Sequence, residues 1–284
     1  MPEGPEIRLA ADEVEAALVG RAVERIWFAF AHLRRFERRL QEGRVIAVET
    51  RGKAMLTHFD SGWTIYSHNQ LYGRWYVVAR DQLSATGRQL RLALHNDQYS
   101  VCLYSASDID VIRSDKLGEH PFLSRLGPDI LNQNPSTADL VERMQSSVFA
   151  RRQLGALLLD QRFVAGLGNY LRAEILTLAK LHPNQRAVDC TSAQLRRLAN
   201  QIIKITRRSY RTRGIVNPPA LVARLKSQGM TRREEHRFNT YGRAGDACHY
   251  CNAEIQFNLT GGRKMYFCPG CQPDIMLCRP ARDK

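Results

Sequence analysis

Four of the seven cysteines form a regular pattern that suits a metal ion. Cys248 and Cys251 are separated by two residues, Cys268 and Cys271 repeat that spacing, and sixteen residues lie between the pairs. Two such pairs on adjacent hairpins bring four thiolates to one point, in the tetrahedral arrangement that Zn²⁺ prefers, and they leave no open coordination position. Two unrelated thiol pairs or a redox dithiol are the alternatives. The pattern predicts one structural zinc ion in a small module that folds with its metal.

The first residues, Met1-Pro2-Glu3-Gly4-Pro5-Glu6, carry a second group of chemical interest. Removal of Met1 would expose Pro2 as a secondary amine. An α-amine has an ordinary pKa of ~8, so more of it is unprotonated at neutral pH than of a lysine side chain. Such an amine condenses with an aldehyde to a charged iminium, and Glu3 beside it could move protons. From this segment alone, an incidental proline with a helix-capping glutamate remains the stronger interpretation.

A glycine pair near the C-terminus predicts a hairpin tip with two cations. Gly261-Gly262 lies between strand-like flanks, which favours a tight turn, and Arg263 and Lys264 follow directly. The guanidinium of Arg263 is well shaped for a two-point contact with a phosphate. An ordinary solvated turn fits the same residues equally well.

The segment His68-Asn69-Gln70-Leu71-Tyr72-Gly73 places polar, apolar and aromatic side chains in a row. If the segment forms an exposed turn, Leu71 and Tyr72 project from the surface as a wedge. The alternative is the end of a strand with Leu71 and Tyr72 in the core.

Two kinds of structure must position these residues. Apolar residues at helical spacing from Ile7 to Leu18 predict a first helix that stops near Gly20. Short β-branched or aromatic segments then predict a sandwich or barrel against that helix. The predicted strands are Val23–Phe28, Val45–Thr50, Ala54–Phe59, Trp63–Ser67, Trp75–Val78, Leu90–Leu94 and Ser100–Tyr104. After a Gly/Pro/Asn-rich linker, helices are predicted at about 137–146, 151–159, 169–181 and 191–210.

Charge is distributed unevenly along the chain. The formal net charge is +14; residues 1–130 carry 17 Lys/Arg and 17 Asp/Glu, whereas residues 131–284 carry 25 and 11. A surface with this excess attracts a phosphate backbone by Coulomb steering and counterion release. The second half therefore favours a nucleic-acid partner, with a merely basic protein as the alternative. No membrane-spanning stretch is evident, and a cytoplasmic protein is expected.

Four separated motifs, in order, resemble the formamidopyrimidine-DNA glycosylase/endonuclease VIII family. They are Met1-Pro2-Glu3-Gly4-Pro5-Glu6, Arg51-Gly52-Lys53, Phe163-Val164-Ala165-Gly166-Leu167-Gly168-Asn169-Tyr170 and Cys268-Pro269-Gly270-Cys271. The resemblance extends to about residue 272. Four motifs in the right order make chance agreement improbable.

The resemblance implies roles for several residues of the first half. Pro2 would attack C1′ of the damaged nucleotide, and Glu3 would be the companion acid and base. Lys53 would contact the phosphate beside the lesion and assist catalysis, and Glu6 would lie near the flipped sugar. The implied reaction excises the base and then removes both flanking phosphates by β,δ-elimination.

The resemblance also implies the residues that bind DNA. Asn169, in a helix-two-turn-helix element, would bind phosphate together with Arg263 and Lys264 of the zinc hairpin. Arg263 would also belong to the catalytic residues, with Pro2, Glu3 and Lys53. Gln70, Leu71 and Tyr72 resemble the void-filling triad of the endonuclease VIII branch, which removes oxidised pyrimidines. Double-stranded DNA with damaged bases or abasic sites is the expected partner, for a monomer associated with the bacterial nucleoid.

The expected fold class is therefore α+β and multi-domain. A catalytic β-sandwich with a long N-terminal helix is expected over 1–126, a linker over 127–136 and a helix-two-turn-helix domain over 137–240. A four-cysteine zinc finger over 241–273 and a tail over 274–284 complete the chain. Asn217–Phe238 matches neither branch well, which leaves the range of lesions open.

Two alternative functions remain at this point. The chain could be a glycosylase of the formamidopyrimidine branch that removes 8-oxoguanine. It could also be a non-catalytic zinc-finger protein that binds damaged DNA, although this does not account for Pro2 and Glu3.

Overall fold

The structure is a computed structural model, and it describes residues 2–41, 43–82 and 86–274. It divides into two compact units, residues 1–126 and 127–284. Each unit has its own hydrophobic core. The predictions for Met1, Cys278 and most of the tail fall outside the described residues.

The first unit opens with helix α1, Gly4–Leu18. Its apolar residues recur at helical spacing, so that one face is buried in the core. Pro5 suits the first turn, where its missing N–H leaves no hydrogen bond unmade. The chain leaves the helix at Val19 and turns at Gly20, whose φ is +79°. This confirms the predicted first helix.

Eight strands and two short helices follow in the described part of the first unit. They are β1 (Arg25–Phe28), α2 (Ala31–Arg34), α3 (Glu37–Leu40), β2 (Val45–Arg51), β3 (Ala54–Phe59), β4 (Trp63–His68), β5 (Arg74–Ala79), β6 (Leu90–His95), β7 (Tyr99–Tyr104) and β8 (Asp108–Arg113).

The strands form two antiparallel sheets, in the orders β1-β6-β7-β5 and β2-β3-β4-β8. Residues of both sheets and of α1 share one buried cluster, which makes this unit the predicted sandwich with its helix. Strand β8 was not predicted, because Asp108 and Asp110 interrupt its apolar run. Its alternating burial, with Ile109 and Val111 inside, is the pattern of a half-buried strand.

The second unit is mostly helical and ends in a hairpin. Its elements are α4 (Thr137–Gln145), α5 (Leu154–Leu157), α6 (Asn169–Ala179), α7 (Ser192–Arg211), α8 (Pro219–Ser227), α9 (Arg233–Arg237), β9 (Gln256–Thr260) and β10 (Arg263–Phe267). Helices α4, α6 and α7 match their predicted positions, whereas α5 is shorter than predicted. Helices α8 and α9 occupy a segment for which no structure was predicted.

Helix α6 is the centre of the second core. It is buried on nearly every side and packs against α5, α7 and β10. Helix α7 is amphipathic and begins at Thr191, whose side chain accepts the backbone N–H of Gln194. In the described ranges, no helix combines the length and the apolar character that a membrane crossing requires. The segment predicted as a linker starts with Gly127, whose N–H donates to the carbonyl of Gln161 in the second unit.

Candidate active site

The N-terminus of α1 lies at the same end of the sheet as the turn that carries Lys53. Helix α1 and strand β2 meet at one joint, where the Gly20 N–H donates to the Val45 carbonyl at 2.9 Å, and α1 packs along β2. The 15 residues of α1 span about 22 Å, and the 7 residues of β2 span about 23 Å. Because α1 and β2 are equally long and lie side by side from one joint, their far ends coincide, and Pro2 and Glu3 come to the far end of β2.

Lys53 lies in a two-residue turn between β2 and β3. Arg51 pairs with Ala54, which leaves only Gly52 and Lys53 in the turn. Gly52 has a φ of +63°, as the first central position of a II′ turn requires. Lys53 is only 9% exposed and Glu3 only 2%, and buried charged groups need partners. This end of the sheet therefore gathers buried, oppositely charged side chains beside the chain terminus.

Glu6 stabilises the backbone at the start of α1. Its Oε2 accepts the backbone N–H of Glu3 at 3.0 Å, as the glutamate of a capping box does. The contact fixes the peptide that carries Glu3 and, next to it, Pro2. A position near a flipped sugar, which the resemblance implies for Glu6, stays a prediction.

The predicted wedge is a tight turn after β4. Gln70 has a left-handed φ of +51°, and the Gly73 N–H donates to the Asn69 carbonyl at 2.7 Å. A Cβ at Gly73 would lie 2.5 Å from that carbonyl oxygen, so only glycine fits. Leu71 and Tyr72 are 47% and 67% exposed, which excludes the alternative that they belong to the core.

The wedge turn, residues 68–73, and the turn that carries Lys53 lie at the same end of one sheet. Ala54, which follows Lys53, pairs with His68, the last residue of β4. The side chain of Gln70 accepts a hydrogen bond from Ser107 Oγ at 2.7 Å. Gln70 is thus held against the neighbouring loop, while Leu71 and Tyr72 project into solvent.

Asn169 begins α6 in the second unit, directly after the predicted glycine turn. Gly166 has a φ of +90°, and Gly168 is the extended residue before the helix. Asn169 Nδ2 donates to the carbonyl of Lys264 on β10 at 3.0 Å. The helix-two-turn-helix element and the hairpin therefore meet at this side chain.

Arg172 is a residue of this site that sequence reasoning missed. It is fully buried, and its Nη2 donates to Asn169 Oδ1 at 2.7 Å and to the Lys264 carbonyl at 3.3 Å. Its Nη1 donates to the Gly155 carbonyl at 2.9 Å. The available signal was its spacing, because a residue three positions after Asn169 lies on the same helical face.

Arg263 and Lys264 point to opposite faces of the hairpin. Gly261 and Gly262 both have positive φ, as in a I′ turn, which confirms the predicted tip. Successive side chains of β10 alternate. Lys264 Nζ consequently lies over the ring of Phe257, 4.5 Å from its centroid. Arg263 is exposed and shares its face with the buried Met265 rather than with Lys264.

The four cysteines come together as predicted. The ligand atoms of Cys248, Cys251, Cys268 and Cys271 all lie within 4.8 Å of one another. Separations of 3.8, 3.4 and 3.5 Å between Sγ atoms are far too long for disulfides. A tetrahedron of ~2.3 Å zinc–sulfur bonds has sulfur–sulfur edges of ~3.8 Å, close to these separations. The donor set and its spacing fit a metal ion with four thiolate ligands.

The finger is fastened to α6 by two buried side chains. Glu174 accepts the backbone N–H groups of Asn239, Thr240 and Tyr241 at 2.8–2.9 Å. Gln272, directly after the last cysteine, is fully buried, and its Oε1 accepts both the Cys268 N–H and the hydroxyl of Thr177 on α6 at 3.0 Å. The orientation of the finger on the helix is thus fixed at both of its ends.

Comparison with known families agrees with this architecture. The model of the formamidopyrimidine-DNA glycosylase N-terminal domain matches residues 1–106. The model of the formamidopyrimidine-DNA glycosylase H2TH domain matches residues 126–217. Both units therefore correspond to domains of one kind of DNA glycosylase.

Individual proteins match over nearly the full length. Endonuclease 8 of Shigella flexneri serotype 5b (strain 8401) is 46% identical over 272 residues, 96% of this chain and 100% of that protein. Endonuclease 8 of Escherichia coli O17:K52:H18 (strain UMN026 / ExPEC) matches to the same extent. The crystal structure of Lactococcus lactis formamidopyrimidine DNA glycosylase with DNA containing an abasic site has a TM-score of 0.79 at 21% identity, covering 96% of this chain and 100% of that one; it shows the shared fold.

The fold and these matches define a DNA glycosylase that also cleaves abasic sites. The chain belongs to the formamidopyrimidine-DNA glycosylase/endonuclease VIII family. It is accordingly an enzyme of base excision repair that acts on DNA.

Proposed function

We propose that this enzyme removes oxidised pyrimidines from duplex DNA through a Schiff base at Pro2 and then cuts the strand on both sides. One observation carries the proposal. The matching lengths of α1 and β2 bring Pro2 and the buried Glu3 to the end of the sheet that carries the Lys53 turn and the exposed Leu71 and Tyr72. An amine, a carboxyl, a cation and a wedge are the groups that the reaction needs in one place.

The unprotonated Pro2 nitrogen attacks C1′ and becomes an ammonium group as the bond from C1′ to the base breaks. The departing base takes the electron pair of that bond and a proton from solvent. The C1′–O4′ bond then opens, O4′ takes a proton from Glu3, and the amine loses its own proton to give an iminium. Loss of a C2′ proton expels the 3′ phosphate, and a second elimination expels the 5′ phosphate. Water releases the sugar fragment and restores the amine. These steps need no oxidant or reductant.

The remaining residues hold the DNA in a distorted form. Lys53 pairs with the phosphate beside the lesion, while Asn169 and Arg263 grip further phosphates without reading sequence. Leu71 and Tyr72 fill the space that the flipped nucleotide leaves.

The four-cysteine site is proposed to hold one Zn²⁺, which stabilises the finger and takes no part in the chemistry. We further infer that the enzyme acts as a monomer on nucleoid DNA.

The preference for pyrimidines rests on the Gln70-Leu71-Tyr72 turn and on the 46% identity to Endonuclease 8. A preference for 8-oxoguanine is the second candidate. One structure with a similar fold is a complex between the Lactococcus lactis enzyme and DNA with an oxidised pyrimidine, and another is of an 8-oxoguanine analogue complex. The fold alone therefore does not separate the two lesion classes.

The test is single-turnover cleavage of matched duplexes that contain thymine glycol or 8-oxoguanine. We expect thymine glycol to be cut at least about tenfold faster, equivalent to ~1.4 kcal/mol in the barrier, and to leave phosphate at both ends of the gap. Faster cutting of 8-oxoguanine would favour the second candidate. A product with an unsaturated aldehyde at the 3′ end would contradict the δ-elimination step.

A further inference from the structure

His68 lies beneath the wedge turn and holds its backbone. Its Nδ1 accepts the backbone N–H of Gln70 at 3.1 Å. Gln70 is the residue in the left-handed conformation, with a φ of +51°, and such a conformation persists only where its surroundings support it. The contact thus acts at the point that directs Leu71 and Tyr72 outward.

The His68 ring is itself firmly placed. His68 pairs with Ala54 on β3 and with Asp108 on β8. Its ring contacts that of Phe122 edge-on, with 5.4 Å between centroids. Strand pairing fixes the His68 backbone on both sides, and Phe122 packs against the ring, so Nδ1 is offered in one direction as a fixed acceptor.

Only the imidazole with an unprotonated Nδ1 can accept this hydrogen bond. Burial lowers the pKa of His68, Asp108 opposes that effect, and Lys53 adds to it. The other titratable groups nearby are Tyr66, which donates to Asp108, and His120, which stacks on Tyr66. The balance of these groups keeps His68 neutral at neutral pH.

We propose that His68 is a positioning residue that holds the wedge turn ready for insertion into DNA through its Nδ1. Protonation of His68 removes the acceptor and places a second positive charge next to Lys53. The turn then loses its support and inserts less well. The inference rests on the proposed function in one respect, namely that Leu71 and Tyr72 enter the duplex.

The experiment measures insertion without catalysis. Full-length protein binds a duplex with a tetrahydrofuran site beside 2-aminopurine, whose fluorescence rises when it unstacks. The site carries neither a base nor an aldehyde, so the signal does not depend on Pro2. Thermal unfolding of each variant verifies that it folds.

Three variants separate a positioning role from a structural one. His68→Ala loses the acceptor, and we expect the insertion equilibrium to fall about three- to tenfold, the size of one lost hydrogen bond. His68→Asn places Oδ1 where Nδ1 was and should restore most of the signal, whereas the longer His68→Gln should not. In wild type the signal should fall between pH 7 and pH 5, and in His68→Asn this fall should be absent.

The inference would be overturned if a folded His68→Ala variant inserted as well as wild type does. It would also be overturned if wild type and His68→Asn showed the same pH profile of insertion. No unstacking by wild type would overturn it too. Absence of a covalent intermediate at Pro2 would count against the proposed function alone, because the fluorescence assay does not require one.

Discussion

The side-chain amide of Asn169 joins two elements that lie 95 residues apart in sequence, because its Nδ2 donates to the carbonyl of Lys264 at 3.0 Å. The same amide accepts from Arg172 through Oδ1 at 2.7 Å. Both contacts fix the orientation of the amide, and in the proposed function the second N–H of Nδ2 donates to a phosphate. The helix-two-turn-helix element and the hairpin consequently form one continuous surface, to which the proposed function assigns phosphate binding.

Replacement of Asn169 should weaken DNA binding, and a negatively charged replacement should weaken it more than a neutral one. We expect Asn169→Ala to lower affinity for an abasic-analogue duplex about tenfold, and Asn169→Asp to lower it further, since a carboxylate faces the phosphate and cannot donate to Lys264. Fluorescence anisotropy at fixed salt measures both. Asn200→Ala, on the exposed side of α7, is the matched control. Tighter binding by Asn169→Asp than by Asn169→Ala would contradict the assignment.

The opposite directions of Arg263 and Lys264 predict unequal effects on salt dependence. Arg263→Ala should reduce the slope of log affinity against log salt by about one phosphate contact. Lys264→Ala should change the slope less, because that ammonium lies over Phe257 on the other face. Titrations at several salt concentrations measure the slopes. Equal slopes for the two variants would show that the face of the hairpin on which a cation lies does not determine whether it contacts a phosphate.

Removal of the metal should unfold the finger and abolish tight DNA binding while the β-sandwich stays folded. The reason is that in the proposed site four thiolates would hold this module together through one ion. Metal analysis should give one zinc per chain, and a strong chelator should lower the first thermal transition only. Cys251→Ser should reproduce the loss without chelator. Unchanged binding after complete metal removal would contradict a structural role.

Acidification should destabilise the first unit. Burial is the main cause that lowers the pKa of His58, His68 and His95. The unfolded chain regains the ordinary value of ~6.5, so it binds protons that the folded chain does not. The free energy of unfolding therefore falls as pH decreases through ~6.5, until the lower folded values are passed.

Urea unfolding between pH 7.5 and pH 5.5 measures this dependence. The variant His58→Asn removes one of the groups and should flatten the slope. A free energy of unfolding that is constant or rises on acidification would show that the buried imidazoles do not govern this range.

Much of the fold was predictable because local patterns agreed with tertiary structure. The first helix, seven strands and the four-cysteine module each had a periodicity or spacing of their own. Strand β8 was missed because it holds only three apolar residues, and Asp108 and Asp110 belong to a residue type that is depleted in strands. Helices α8 and α9 are only 9 and 5 residues long, so the periodic pattern in each is brief and gives a weak helical signal.

The chemistry at the chain terminus could be predicted only through the combination of motifs. No local sequence pattern places Pro2 at the end of the sheet that carries Lys53. That placement follows from the equal physical lengths of α1 and β2. The role of Arg172 in this site could not be predicted for another reason. A buried arginine looks like any basic residue of a helix until its hydrogen bonds to Asn169 and Gly155 are seen.

The central claim is that the Pro2 nitrogen becomes bonded to the sugar during the reaction. Borohydride reduction during turnover of an abasic-site duplex, followed by mass spectrometry of the trapped peptide, tests it directly. We predict one DNA adduct per chain, located on the N-terminal proline, and no adduct when a residue is retained ahead of Pro2. An adduct on a lysine, or undiminished strand cleavage by the chain with a blocked Pro2 nitrogen, would contradict the account.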